Sequence, residues 1–403
     1  MKKAGLNNTS LKQQNRGMIL KLIATGECTS RIELARKIGL SKVAASKIVN
    51  EFLEEGIMEE REKVRVQGKG RNPVQICISE KAPKMLGVHI YREECNVILC
   101  DLQLHILKKI TIGLHEKNIG QLLSKICEAI DEILEMSEDE RIYGIGIGAI
   151  APVDNNQGMI LDPPNFYGIR DLPIQEEIQK RYHMPVFFDG ESNCAALAEK
   201  YYGSGKDCED FIYVDIANGI GSGVILNGEI YSNTSGLVCE LGHTSIDWQG
   251  NSCNCGNRGC LETYASSNVI EKRLQEVTGE DKSFIEFCWT MEQILDEKNK
   301  TGKALSESAA KMDGIFRDMT EKLACGFTNF VNGLNPQKII IGHEGYWIPH
   351  AYIESLEKKV NERQIARDYQ TIQIVKSHFR TEATVYGCAC SLLTAVFEGK
   401  LFQ

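Results

Sequence analysis

The chain has 403 residues, 42% apolar and 25% charged, the make-up of a globular protein long enough for two or three cores. No apolar run approaches the ~20 residues of a membrane-spanning helix, and MKKAGLNNTSLKQQN has a cationic start with no apolar core behind it, so neither a membrane span nor a secretory leader is expected and the chain is assigned to the cytoplasm. The net charge of −9 is uneven: residues 1–80 hold 15 Lys+Arg against 9 Asp+Glu and the remainder 31 against 46, so only the head suits a polyanionic partner.

Within that head, helical periodicity runs over residues 11–25, with Ile19, Leu20 and Ile23 on one side, and Gly26 stops it. Thr29 and Ser30 suit the start of a second helix, RIELARKIG. A turn at Gly39, Leu40 and Ser41 leads into a third, KVAASKIVNEFLEEG. Two short helices about a Gly-containing turn form a helix-turn-helix, whose core is expected to hold Ala35, Ile38, Leu40, Val43, Ile48, Val49, Phe52 and Leu53. The third helix carries Ser41, Lys42, Ser46, Lys47 and Asn50 near its start, short or cationic side chains that reach base edges and phosphates from a major groove. Its acidic end, Glu51, Glu54 and Glu55, is expected to point away from DNA. Two wing strands, 59–66 and 75–78, bracket QGKGRNP, where Lys69 and Arg71 are placed to enter a narrow minor groove. The competing reading is a purely structural helical cap.

From residue 81 strands alternate with helices, beginning MLGVHIY, CNVILCDL, QLLSKICEAIDEILEM and IYGIGIGAIAPV, which predicts an α/β architecture. Of the 15 cysteines, Cys28, Cys77, Cys95, Cys100, Cys127, Cys388 and Cys390 lie scattered and read as core or incidental thiols of a reducing compartment. The exception is the stretch ELGHTSIDWQGNSCNCGNRGCLET, which contains His243, Cys253, Cys255 and Cys260. One imidazole and three thiolates suit tetrahedral Zn²⁺, and four protein ligands leave no open position, so the metal is expected to be structural. Free cysteines in a glycine-rich loop are the alternative. The run ANGIGSG at 217–223 allows close backbone approach by a ligand, and a tight hairpin explains it equally well. Asn165, Glu191, Glu240, His243 and Glu262 supply loop carboxylates and amides of the kind a buried polyhydroxylated ligand needs.

In this order the segments resemble the ROK family (repressors, open reading frames, kinases), and within it the DNA-binding branch that includes xylose- and N-acetylglucosamine-responsive repressors. The resemblance runs from about residue 11 to the C-terminus and rests most on E-x-G-H…C-x-C-G-x-x-G-C-x-E, from Glu240 to Glu262. It implies a winged helix-turn-helix joined to a two-lobed, hexokinase-like (actin-like, RNase H-like) α/β domain with a sugar in the cleft. Asn165, Glu191, Glu240, His243 and Glu262 would line that cleft, with His243 giving one nitrogen to the metal. The implied partition is a head at 1–80, a small lobe at 81–195 completed by a C-terminal helix at about 383–403, and a large lobe at 196–382 carrying the zinc loop and a dimer surface.

The sequence departs from the family's kinases at three places. Where they carry a D-x-G-G-T phosphate loop, this chain has His89 for the Asp and Tyr91 and Arg92 for the glycines, followed by Glu93, which repels phosphate. Two adjacent glycines of a second phosphate loop become Gly342, His343, Glu344 and Gly345. The kinase Asn-Asp pair becomes Gly190 and Glu191, which removes an amide and moves the carboxylate by about one methylene. The expectation is therefore not an enzyme but a ligand-responsive repressor, a homodimer or dimer of dimers on operator DNA. Its effector would be a monosaccharide of the xylose, glucose or N-acetylglucosamine class, acting by biasing lobe closure. The rival readings are an ATP-dependent ROK sugar kinase with an accessory head, and a regulator released from DNA by a protein docking on the zinc loop.

Overall fold

Polar caps and left-handed glycines bound the short helices of the head in the computed structural model, which describes residues 8–62, 74–116, 118–164 and 166–402. The head holds α1 (Asn8–Ala24), α2 (Arg31–Ile38) and α3 (Lys42–Glu54). The Ser30 hydroxyl accepts from the Glu33 amide at the start of α2, and Gly39 ends that helix at φ 77°. The Ser41 hydroxyl accepts from the Ala44 amide at 3.1 Å and so starts α3. Ala45, Ile48, Val49 and Phe52 form the buried stripe of α3, meeting Ile19 and Leu20 of α1 and Leu34 of α2 in the head's core. Val43 is not in that core. It stands two residues before Ala45, about 200° around a helix of 3.6 residues per turn, and is 80% exposed. Ile38, Leu40 and Leu53 are half-buried at the core's margin. β1 (Met58–Glu62) and β2 (Val74–Ile78) pair antiparallel as the wing; Lys69 and Arg71 lie outside the described residues.

The α/β body holds two five-stranded sheets. The first contains β3 (Lys84–Ile90), β4 (Glu94–Cys100) and β5 (Ile106–Gly113), then α4 (Ile119–Glu135), β6 (Ile142–Ala149), a small ribbon of β7 (Val153–Asp154) and β8 (Met159–Ile160), α5 (Ile174–Tyr182) and β9 (Val186–Gly190). Its order is β5-β4-β3-β6-β9, antiparallel across the two hairpins and parallel between β3 and β6. The second follows α6 (Glu191–Tyr202) with β10 (Phe211–Ile216), β11 (Ile220–Leu226) and β12 (Glu229–Ile230). Four helices come next, α7 (Glu262–Ala265), α8 (Ser267–Thr278), α9 (Phe284–Thr301) and α10 (Glu307–Leu334), before β13 (Lys338–His343), α11 (His350–Arg363), β14 (Gln373–Lys376) and α12 (Ala383–Phe397). Its order, β12-β11-β10-β13-β14, repeats the first: strands three, two, one, four and five of each set.

Strand β10 is buried along its length because both faces of its sheet are covered: Ile212, Val214, Ile339 and Ile341 share a core with Phe316 and Phe327 of α10, and on the other face Asp215 meets Ser192 of α6. By contacts the chain divides into residues 1–189 with 388–403, and residues 190–387. The head and the first sheet belong to one unit, and the last residues of the chain return to it: the Gln13 side-chain amide donates to the Phe402 carbonyl at 2.8 Å. Among the described residues no helix is long and apolar enough to cross a membrane.

Candidate effector site, metal centre and DNA-facing surface

His243 ends a 3₁₀ turn (Leu241–His243), and the loop after it returns to meet it. The Cys253 amide donates to Asn257 O at 2.9 Å and the Gly256 amide to Cys253 O at 3.0 Å, a tight turn that brings Cys253 and Cys255 together. At Gly259 (φ 69°) a Cβ would fall 1.8 Å from the Asp247 carbonyl oxygen, so only glycine lets the returning segment cross there. The ligand atoms of His243, Cys253, Cys255 and Cys260 all lie within 4.8 Å of one another. Cys255 Sγ is 3.7 Å from Cys260 Sγ, and Cys253 Sγ is 3.5 Å from His243 Nδ1. A tetrahedron built on bonds of ~2.3 Å to sulfur and ~2.0 Å to nitrogen has edges of about 3.8 and 3.5 Å. The donor set and these two edges fit a metal ion.

Glu262, the first residue of α7, is tied to this knot: its Oε1 accepts from the Cys253 thiol at 3.3 Å and lies 3.5 Å from His243 Nδ1. Glu240 stands immediately before the 3₁₀ turn and is half-buried. Burial, then the negative charges of Glu191 and Glu262, push its carboxyl up to about 7. Glu191 opens α6, where Gly190 provides no side-chain cap. Three predicted carboxylates thus form one electrostatic cluster beside the His243 imidazole, acceptors suited to the hydroxyls of a polyol. Asn165 lies outside the described residues. The ANGIGSG run is the β10–β11 hairpin, closed by the Ala217 amide on Gly219 O at 2.9 Å. Its later glycines face α6: a Cβ on Gly221 would lie 2.4 Å from Ser192 Oγ and one on Gly223 2.2 Å from Ser192 O, so they permit helix packing.

On the head, Lys42, Val43, Ser46, Lys47 and Asn50 border one shallow recess on the outer face of α3, together with Glu51 and Glu54. Ser41 does not line that recess; its hydroxyl is engaged as the helix cap. Lys42, Lys47 and Asn50 are exposed and Ser46 is half-buried. Asn50 Oδ1 accepts from the Arg31 guanidinium at 2.8 Å, which fixes the amide's orientation. The acidic end of α3 is partly neutralised from α1: Lys12 and Arg16 reach Glu51 at 2.9 and 2.7 Å, and Arg16 reaches Glu55 at 2.7 Å.

The pattern that defines the ROK family matches residues 85–395. The chain belongs to the ROK family. It is 31% identical to the xylose repressor of Bacillus spizizenii over 91% of this chain and 92% of that protein. A solved ROK-family transcriptional regulator, a homologue of E. coli MLC, superposes with a TM-score of 0.79 at 26% identity, covering 97% of this chain and 98% of its own. The ROK hexokinase of Thermus thermophilus shares the fold, with a TM-score of 0.63 at 22% identity over 76% of this chain and 97% of its own.

At the first position where ROK kinases carry a phosphate loop, side chains fill the turn. The buried His89 ring stacks on Tyr91, centres 5.9 Å apart, and Arg92 donates to Tyr91 Oη at 3.3 Å and to Pro164 O at 3.1 Å. At the second, His343 adopts φ 54°, ψ −139°, and its Nδ1 accepts from the Glu344 amide at 2.9 Å. That amide is therefore already bonded within the turn, and the Glu344 carboxylate follows it.

Sequence reasoning passed over a buried polar set around β10. Asp215 accepts from Ser192 Oγ and Tyr213 Oη, both at 2.8 Å; burial pushes its carboxyl up, with His343 opposing the rise and Glu191 adding to it. The available signal was a lone Asp in the otherwise apolar strand FIYVDI. Glu199 is fully buried and accepts from the Ser377 hydroxyl at 2.5 Å and from the Ser204 and His378 amides at 2.6 and 2.9 Å, tying the end of α6 to the loop after β14.

Proposed function

We infer that this chain is a sugar-responsive transcriptional repressor of the ROK family, whose head reads operator DNA and whose body senses a monosaccharide without phosphorylating it. The observation that carries this reading is the filled phosphate turns: the Glu344 amide is taken by His343, and the His89–Tyr91–Arg92 stack occupies the other turn. The cluster of Glu191, Glu240 and Glu262 beside His243 supports the sugar-binding part of the reading.

In this reading Glu191, Glu240, His243 and Glu262, with Asn165, bind the effector, and each buried hydroxyl of the sugar needs one of these partners. The effector belongs to the xylose, glucose or N-acetylglucosamine class, a choice supported by the repressor relative. His243, Cys253, Cys255 and Cys260 hold a structural Zn²⁺, which cross-links the loop and so stiffens the segment that carries Glu240 and Glu262. Ser41, Lys42, Ser46, Lys47 and Asn50 face the major groove, and Lys69 and Arg71 the minor groove. The working partition is the DNA-reading head at 1–80, a small lobe at 81–195 completed near 383–403, and a large lobe at 196–382. Two heads in a homodimer, or a dimer of dimers, would meet half-sites a whole number of helical turns apart. Because it acts on DNA with its effector sugar, the protein works in the cytoplasm. Sugar alters operator affinity only to the extent that it binds the DNA-competent and DNA-free states differently.

A coupled ADP-release assay with ATP and a panel of hexoses and pentoses separates this reading from a kinase. The expected result is no turnover above the sugar-free background. Steady phosphorylation at an enzyme's ordinary rate of about 1–10³ s⁻¹ would overturn it.

A further inference from the structure

The first two turns of α3 carry an apolar side chain that the fold of the head leaves uncovered. Val43 is 80% exposed, while the buried stripe of the same helix, Ala45, Ile48, Val49 and Phe52, faces the other way. A β-branched residue gains nothing for an exposed helix start, where straight-chain residues form helix better. Around it lie two cations and two small polar groups, Lys42 and Lys47, Ser46 and Asn50, on the same recessed surface. The acids bordering that surface, Glu51 and Glu54, come eight and eleven positions later in the sequence, about 12–16 Å further along the axis. Charge complementarity with a phosphate backbone is therefore confined to the segment that presents Val43.

We propose that Val43 is a specificity residue that reads the C5-methyl of a thymine in the major groove. This assignment rests on the DNA-reading role of the head and adds to it the base that one side chain selects. Of the four bases only thymine shows an apolar group in that groove. A valine held between phosphate-directed lysines cannot hydrogen-bond any base edge, so contact with a methyl group is the one favourable way to bury it. Lys42 and Lys47 supply sequence-independent attraction and position, and Val43 supplies discrimination.

The test uses the full-length chain and duplexes that it enriches from a randomised 30-bp library. Each thymine of the enriched site is then replaced in turn by deoxyuridine, which removes only the methyl group. Wild type is expected to lose about fourfold in affinity at one thymine position per half-site, the worth of one buried methyl group. Val43→Ala is expected to bind the parent duplex more weakly and to lose that sensitivity, while Val43→Thr, which keeps one methyl, retains part of it. Lys47→Ala is expected to weaken all duplexes alike and to leave the deoxyuridine profile unchanged. Thermal unfolding of each variant checks that the head remains folded, as an exposed site predicts. An unchanged deoxyuridine profile in Val43→Ala, or equal weakening of thymine and deoxyuridine duplexes, would overturn the assignment while leaving DNA binding intact. Failure to enrich any duplex would overturn the DNA-reading role, and this assignment with it.

Discussion

The Arg16 guanidinium lies 4.9 Å from the centre of the Phe402 ring, so the first helix of the head and the last residues of the chain meet face to face. Phe52 of α3 completes the arrangement, with the guanidinium 4.4 Å from its ring and an edge-to-face contact to Phe402 at 5.7 Å. Arg16 is buried and also pairs with Glu51 and Glu55. One cation thus joins α3, α1 and the C-terminal tail.

Arg16→Ala removes both the ion pairs and the ring contacts. Because Glu55 is partly exposed, the cost falls below that of a fully buried pair, at about 2–3 kcal/mol. Hydrogen exchange in α1 and α3 should speed up accordingly, with exchange in residues 190–387 unaltered. Deleting residues 399–403 should reproduce most of that change. A variant with wild-type exchange in α3 would contradict the role given to this contact.

Metal removal supplies the second prediction. Cys255 is exposed, and as a plain surface residue its replacement by Ser would change stability by less than about 0.5 kcal/mol. As a metal ligand it should cost about 2 kcal/mol or more and abolish retention of zinc by the purified chain. Elemental analysis, with unfolding curves of wild type and variant before and after chelation, checks this. Chelation should destabilise wild type and leave the variant unmoved.

The third prediction concerns pH. Burial and the charges of Glu191 and Glu262 raise the Glu240 carboxyl to about 7, above the usual value of about 4.3. The folded chain therefore holds a proton that the unfolded chain releases. The stability this confers is fully present below about pH 4 and is lost as pH rises towards and through 7. Glu240→Gln removes the titration. The two proteins should unfold alike below about pH 4, and the variant should be the more stable by about 1–2 kcal/mol at pH 8, a value discounted for partial solvation. Equal pH profiles from denaturant titrations would show that the three carboxylates do not interact as described.

These features differ in how far the sequence discloses them. The cluster of His243, Cys253, Cys255 and Cys260 is legible because these residues and the turn glycines fall within 18 consecutive residues, 243–260, so local chain geometry nearly determines it. The helix-turn-helix is legible for the same reason, through Ser30, Gly39 and Ser41. Val43 reads as core by its apolar character alone, but its offset of about 200° from Ala45 puts it on the far face. The Arg16–Phe402 contact joins residues 386 positions apart, and no periodicity encodes such a pairing. Asp215 stands out in its strand, yet Ser192 comes to it only through the packing of α6 on the β10–β11 hairpin. The closed phosphate turn could be suspected from His343, but the bond from the Glu344 amide to its imidazole depends on a left-handed backbone that composition does not specify.

The central claim, a DNA reader governed by a sugar its body binds but does not phosphorylate, is met most directly by fluorescence anisotropy. The zinc-loaded full-length chain is titrated against an enriched duplex, at two salt concentrations, with and without each of xylose, glucose and N-acetylglucosamine. The account predicts affinity that falls steeply with salt, and a shift of about tenfold with one of these sugars and little with the others, within the usual range of coupling between sites. Operator affinity unmoved by every sugar, for a chain that calorimetry shows to bind one of them, would contradict it.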